Sequence, residues 1–365
     1  MLIINSNYKP LQMRNFEQNQ KNPPKDAEFV CKIENNNLKT LKISHYKANF
    51  IPFCSAHVTK VIDAHGHIMD DSRTFNDGGI EKKLTLGIIK SATKASKDGV
   101  QVEYVAVSNL EGLLPENQGV GKPRMDFVKA NEIMLNKCEE ENAKPLNNPK
   151  FLPQAVCDPL CDNPERFEAF ENFLEKNHEK ICGFKFHPTH TGRPPTDMSY
   201  QPFLELASKY KMPCFFHTAG EGTNKGTVLP SDQKVIAKFA ESLYKKAPEV
   251  PVVLYHFNLG GWDKLQPLNI VKDLSDNKKA NLFLEVSWVE SPLIVKALKM
   301  GLEDRILFGT DTPLGPVGNS QGYFARIKEI EKTVNDNFPN EKKATEILDK
   351  IFYKNAQKIF KTVIS

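Results

Sequence analysis

No stretch of this chain approaches the ~20 uninterrupted apolar residues that a membrane-spanning helix needs, which excludes a spanning protein from the expectations. Charge of one sign is equally scarce. Lys and Arg number 49 against 45 Asp and Glu, a net +4 over 365 residues, and the basic residues are dispersed. Neither nucleic acid nor an acidic membrane surface is therefore an expected partner. Met1-Leu2-Ile3-Ile4 runs into polar residues with no basic segment before it, so no secretory leader is expected and the cytoplasm is the simplest location. The cysteines Cys31, Cys54, Cys138, Cys157, Cys161, Cys182 and Cys214 are odd in number and mostly set in apolar runs. Reduced, buried thiols follow, because a chain this long does not need disulfides. Cys157 and Cys161 have no second close Cys/His pair, so a structural zinc ribbon is not expected.

What is present is an ordinary globular composition, 40% hydrophobic and 26% charged, with a change of character near residue 60. Residues 1–59 are rich in Asn, Lys and Gln and contain Pro23-Pro24. They show only short apolar alternations, and read as a small N-terminal extension with a few short strands. His45 and His57 lie there or at its edge and read as surface or capping residues. From Lys60 to the C-terminus, short β-branched or aromatic runs alternate with helix-period stretches. The strand candidates are Val61–Ala64, Val102–Val107, Phe151–Val156, Ile181–Phe186, Met212–Phe216, Val252–Tyr255, Leu282–Val286 and Ile306–Phe308. Asn163-Pro164 supplies a helix cap and first-turn proline. Ser231 precedes an apolar face at Val235, Ile236, Phe239, Ala240, Leu243 and Tyr244, and Pro292 to Gly301 brackets another helix. Eight alternations predict a (β/α)8 TIM barrel over residues 60–365. A doubly wound open sheet is the alternative, but no glycine-rich phosphate fingerprint follows the first strand.

In such a barrel the C-terminal strand ends share one mouth, whatever their separation in sequence. Polar residues collect there. His65 and His67 end the first strand, with Asp63 assigned the same face by simple alternation. Lys185 and His187 end the fourth, with His187 nearer the mouth. His217 ends the fifth, His256 the sixth and Asp311 the eighth. Five of nine histidines fall at strand ends, a concentration that structural histidines would not show. His178 and His190 read instead as helix-surface and loop residues.

The series "IDAHGH", "GFKFHP", "FFHTAG", "LYHFNLGG" and "ILFGTDTP", closed by "IFYKNAQKIF", resembles the amidohydrolase superfamily. It is most similar to the amidohydrolase-2 branch, which includes aminocarboxymuconate-semialdehyde decarboxylase-like enzymes. The resemblance covers roughly residues 60–365; residues 1–59 have no counterpart. It implies one divalent metal and, for the strand-6 histidine His256, polarisation of a carbonyl or proton transfer. It also leaves open a binuclear site bridged by a carbamylated Lys185, the less favoured arrangement. A metal-barrel deoxyribonuclease is disfavoured, because the third strand ends in Gln154-Ala155-Val156-Cys157-Asp158-Pro159 without the acidic segment of that type.

The residues themselves support this chemistry. His65, His67, His217 and Asp311 would supply three nitrogens and one oxygen to a Zn2+ with an open position for water. The metal would lower the pKa of that water to ~7. Asp311, ionised beside a cation, could accept its proton. His187 is a catalytic-site residue of unassigned role. Arg73 and Arg193 are candidate forks for a substrate carboxylate, Lys185 a further substrate contact, and Trp288 a pocket wall. The expected activity is metal-dependent hydrolysis of an amide, ester or lactone of a small molecule. Non-oxidative decarboxylation on the same site is the alternative, and a homodimer is among the expected assemblies.

Overall fold

The computed structural model describes residues 59–77, 80–94, 99–113, 125–145, 149–161, 163–218, 230–257, 263, 265–314 and 320–364. The short strands expected before residue 59, His45 and His57 lie outside the described residues. Among the described residues ten strands are formed: β1 (Thr59–Ile68), β2 (Phe75–Asp77), β3 (Ile80–Lys82), β4 (Val100–Asn109), β5 (Lys150–Val156), β6 (Gly183–Phe186), β7 (Cys214–His217), β8 (Val252–Tyr255), β9 (Leu282–Glu285) and β10 (Ile306–Leu307). β2 and β3 pair as an antiparallel ribbon. The other eight form one sheet in the order β1-β4-β5-β6-β7-β8-β9-β10, every pair parallel. The ends of the sheet meet. Ala64 N–H donates to Phe308 O at 3.0 Å and His67 N–H to Thr312 O at 2.8 Å, with a parallel bridge between Gly66 and Thr312. The expected (β/α)8 barrel is formed.

All eight predicted strands are present, with shifted ends. β10 keeps only two residues, and Phe308 is buried beyond its end. Ile181 is likewise buried ahead of β6, where it ends a 3-10 turn. An apolar run marks burial, and burial extends past the hydrogen-bonded ladder in both cases. Helix starts follow the predicted chemistry. Asn163 caps the helix Pro164–Asn177 by accepting from Glu165 and Arg166 N–H groups, with Pro164 in its first turn. At the helix Gln233–Lys246 the cap is Asp232 rather than Ser231, since the Asp232 carboxylate accepts from Lys234 N–H.

The barrel strands face two apolar layers. Ile62, Ala64, Ala106, Leu152, Phe215, Val253, Phe283 and Leu307 fill the interior, while Val61, Val105, Val107, Phe184, Phe216, Leu254 and Leu284 pack on the helices. Ala356, Ile359 and Phe360 of the C-terminal helical segment join the interior cluster, so this segment plugs the barrel and leaves the opposite, C-terminal ends of the strands for chemistry. Asn355 holds it in place through Glu303 O at 2.8 Å and Ile306 O at 2.9 Å. Cys138, Cys157, Cys182 and Cys214 are free thiols in the core. Burial pushes each of them upward from its ordinary pKa, which keeps them protonated and unreactive. Among the described residues no helix is long and apolar enough to cross a membrane.

Candidate metal centre and active site

β1 delivers both of its histidines inward by means of a bulge. Asp63 pairs with Val105 and Gly66 with Val107, so β1 spends one more residue than β4 between the two pairs. Ala64 and His65 therefore both reach the interior, and the expectation that Asp63 shares a face with His65 fails. The slip sends Asp63 outward. Its carboxylate accepts from Thr310 N–H at 3.1 Å, Thr310 Oγ1 at 2.6 Å, Tyr323 Oη at 2.9 Å and His65 N–H at 3.0 Å. Burial raises its pKa to about 6 against the pull of these donors. Asp63 thus ties β1 to the loop that carries Asp311.

Three Lewis bases converge inside the mouth. His65 Nε2 lies 3.0 Å from His67 Nε2 and 3.3 Å from Asp311 Oδ1, and His67 Nε2 lies 3.0 Å from the same oxygen. The other nitrogens of both rings are already engaged. His67 Nδ1 meets Ser108 Oγ at 2.9 Å. His65 Nδ1 meets Glu285 Oε2 and Ser287 Oγ, each at 3.2 Å. Burial holds His65 well below its ordinary pKa and lowers His67 too, so both are neutral and can offer lone pairs. For Asp311, burial acts upward, but the neighbouring His67 and His256 imidazoles and the Trp288 indole N–H outweigh it and keep the carboxyl below its usual range.

This donor set fits a divalent cation. Bonds of ~2.0–2.1 Å at tetrahedral angles separate neighbouring ligand atoms by about 3.3 Å, close to the spacing observed. Asp311 Oδ1 is buried without a hydrogen-bond donor of its own, which is costly unless a cation compensates it. His65, His67 and Asp311 form one candidate metal-holding group, and His65, His256 and Glu285 a second that overlaps it. His217, the expected fourth ligand, is beside the first group rather than within it. Its ring stacks on His187 at 3.8 Å and meets His256 edge-on at 4.9 Å. His187 stacks in turn on His190 at 3.5 Å, so His190 belongs to the site's wall instead of a remote loop.

Lys185 is fully buried, with Nζ 3.1 Å from His65 Nε2 and 4.0 Å above the Tyr255 ring. Burial pulls its pKa down to about 7, opposed by the charges of Asp311 and Glu285. Tyr255 forms the floor, stacked on His65 at 3.8 Å and donating to Ala64 O at 2.7 Å. Trp288 is 42% exposed, and its indole N–H donates to Asp311 Oδ2 at 2.8 Å, so this wall also grips a candidate ligand. The arginines stand outside this cluster. Arg73 pairs with buried Glu111 at 2.7 Å, and half-exposed Arg193 pairs with Asp197 at 3.3 Å.

His256, Trp288 and Asp311 all have left-handed φ values, 69°, 60° and 60°. For non-glycine residues such backbone costs about 1–3 kcal/mol each and persists where surrounding structure enforces it. Three consecutive strand ends, β8, β9 and β10, carry that strain into the same mouth.

Glu285 and Ser287 are the site residues that alternation and motif reasoning passed over. Glu285 ends β9, where its carboxylate lies against Gly309. A Cβ on Gly309 would sit 2.2 Å from Oε1, so only glycine leaves room. Gly309→Ala is expected to displace Glu285 and cost about 1–3 kcal/mol of overpacking, read as a lowered midpoint in thermal melts. The available signal was a buried-strand glutamate two residues before a serine, on one of the three barrel strands whose ends had no assigned ligand.

Comparison with known proteins gives the family and the fold. A family model described as an amidohydrolase matches residues 62–362. No curated protein sequence matches the chain. Solved structures similar in fold include a 5-carboxyvanillate decarboxylase from Novosphingobium aromaticivorans with bound manganese, at 14% identity and TM-score 0.53, covering 84% of this chain and 98% of that one. An enzyme called IDCase from Metarhizium anisopliae, at 13% identity and TM-score 0.53, has the same coverage. A putative amidohydrolase from Staphylococcus aureus, at 14% identity and TM-score 0.52, covers 83% of this chain and 100% of that one.

Proposed function

The chain belongs to the amidohydrolase family, and from that premise we propose that it is a metal-dependent hydrolase of a small-molecule amide, ester or lactone. The observation that carries the reading is the convergence of His65 Nε2, His67 Nε2 and Asp311 Oδ1 within 3.0–3.3 Å, with both Nδ1 atoms engaged elsewhere. His65, His67 and Asp311 would hold one divalent cation, with His217 as the fourth ligand. When bound, the cation supplies Lewis acidity and makes water acidic enough to ionise near neutral pH. Zinc suits this nitrogen-rich set, and manganese is the competitor.

The residues divide the remaining work. Asp311 accepts a proton from the attacking water, its Oδ2 steadied by Trp288. His256, between the His65 and His217 rings at 5.0 and 4.9 Å, polarises the reacting group or moves a proton. Trp288 and the imidazole stack of His187 wall the substrate.

A second reading, non-oxidative decarboxylation, is favoured by Lys185. A buried amine beside the ligands suits a carboxylated substrate, for which Arg73 and Arg193 are outer contacts. Two structures of this fold are also named decarboxylase and IDCase. Turnover of a panel of lactones, amides and carboxylated aromatics in 18O-labelled water separates the readings. Hydrolysis places solvent oxygen in the product, whereas carbon dioxide release without 18O uptake by the remaining product overturns the hydrolase reading in favour of the decarboxylase.

A further inference from the structure

The buried chain of groups behind His65 and His256 has not been given a role by the metal chemistry. Ser287 N–H donates to Glu285 Oε1 at 2.5 Å, and Ser287 Oγ–H donates to Glu285 Oε2 at 2.6 Å. The carboxylate is clasped onto its own strand end. Ser287 Oγ also lies 2.8 Å from His256 Nδ1, and the Ser287 carbonyl lies 3.3 Å from the same nitrogen. Glu285 Oε2 and Ser287 Oγ are each 3.2 Å from His65 Nδ1. All four residues are buried.

With the Glu285 carboxylate ionised, as the two Ser287 donors on its oxygens favour against the upward push of burial, counting protons along this chain leaves one assignment. A serine hydroxyl has a single proton, and the shorter contact gives it to Glu285. Toward His256, Oγ can then only accept, so His256 Nδ1 must carry a hydrogen. The Ser287 carbonyl, an acceptor only, favours the same state more weakly from 3.3 Å, so the hydroxyl is the deciding partner. The partner of one ring nitrogen decides the protonation of the other, and His256 Nε2 is left with its lone pair.

We infer that Glu285 and Ser287 are positioning residues: they fix His256 as its Nδ1–H tautomer, with Nε2 a proton acceptor, while the same carboxylate orients the metal ligand His65. One carboxylate therefore serves both halves of the site. Carboxylate partners behind ligating histidines set ring orientation and are worth about 10–100-fold in metal affinity. The inference rests on the proposed role of His256, but its primary test needs no substrate.

The test is 15N NMR of the zinc-loaded, full-length protein labelled at histidine, with the His256 signals assigned from their loss in His256→Asn. The expected wild-type spectrum shows a protonated Nδ1 and an unprotonated Nε2. Ser287→Ala should shift His256 toward a mixture of tautomers, keep zinc affinity within about 3-fold, and lower kcat by ~10–100-fold with little change in KM. Ser287→Thr, which retains the hydroxyl, should restore the wild-type spectrum. Glu285→Gln should weaken zinc binding by ~10–100-fold. A wild-type His256 protonated at Nε2 overturns the inference, as does Ser287→Ala with an unchanged tautomer and wild-type kcat. If neither hydrolysis nor decarboxylation is found, the functional reading fails while the tautomer measurement still decides this one.

Discussion

A His65→Ala/His67→Ala variant is expected to bind no stoichiometric metal and to lose activity by more than ~10³-fold, the largest effect of any change in this chain. Each imidazole contributes one Nε2 to the convergent group, so the double change removes two of three gathered ligand atoms and leaves only Asp311 with the more distant His217. The fold should survive at reduced stability. Ser108 and Glu285 each lose a buried partner, at about 1–3 kcal/mol apiece. The interior apolar layer and the C-terminal plug are untouched. Elemental analysis of the folded, purified variant together with its thermal midpoint is the check. Full metal occupancy in that protein would place the cation elsewhere. The wild type supplies the control. Stripping its metal with a chelator should lower its midpoint by an amount set by linkage, about 2.7 kcal/mol when free metal stands at 100 times Kd, and the double variant should be indifferent to the chelator.

The barrel was legible because its determinants are local. Short β-branched runs, caps such as Asn163-Pro164 and polar strand ends recur in order, and each fixes its own element whatever happens elsewhere. The convergence of His65, His67 and Asp311 was legible for the same reason, since polar residues at strand ends meet in any eight-fold barrel. The β1 bulge escaped because alternation assumes an unbroken ladder. A bulge depends on how β4 pairs, and nothing in Val61–His67 announces it. Glu285 and Ser287 escaped because their task is to support other side chains, and support is visible only when distances are known. Arg73 reads in sequence as a candidate fork for a substrate carboxylate. Its partner Glu111 lies 38 positions away on a separate strand end, beyond the reach of any local pattern.

Asp311→Asn is expected to weaken metal binding and to lower kcat by ~10²–10⁴-fold, as for loss of a general base, and its effect should depend on Trp288. Asp311 uses its two oxygens differently. Oδ1 faces the Nε2 atoms of His65 and His67, while Oδ2 accepts the Trp288 indole N–H at 2.8 Å. An asparagine can present only one oxygen. If that oxygen stays toward the metal, the new amide N–H₂ group points at the indole N–H, and two donors oppose each other at hydrogen-bonding distance. If the amide flips, the indole is satisfied but a donor replaces the ligand. Either choice costs about 1–3 kcal/mol beyond the lost charge. Trp288→Phe removes the indole donor and so removes the conflict. The double variant Asp311→Asn/Trp288→Phe should then bind metal roughly 10-fold more tightly than Asp311→Asn alone, while kcat stays low because the base is still missing. Metal titrations of the wild type, the two single variants and the double variant form the cycle that measures this coupling. Strictly additive losses would mean that Trp288 only walls the pocket and that the indole contact has no part in how Asp311 meets the metal.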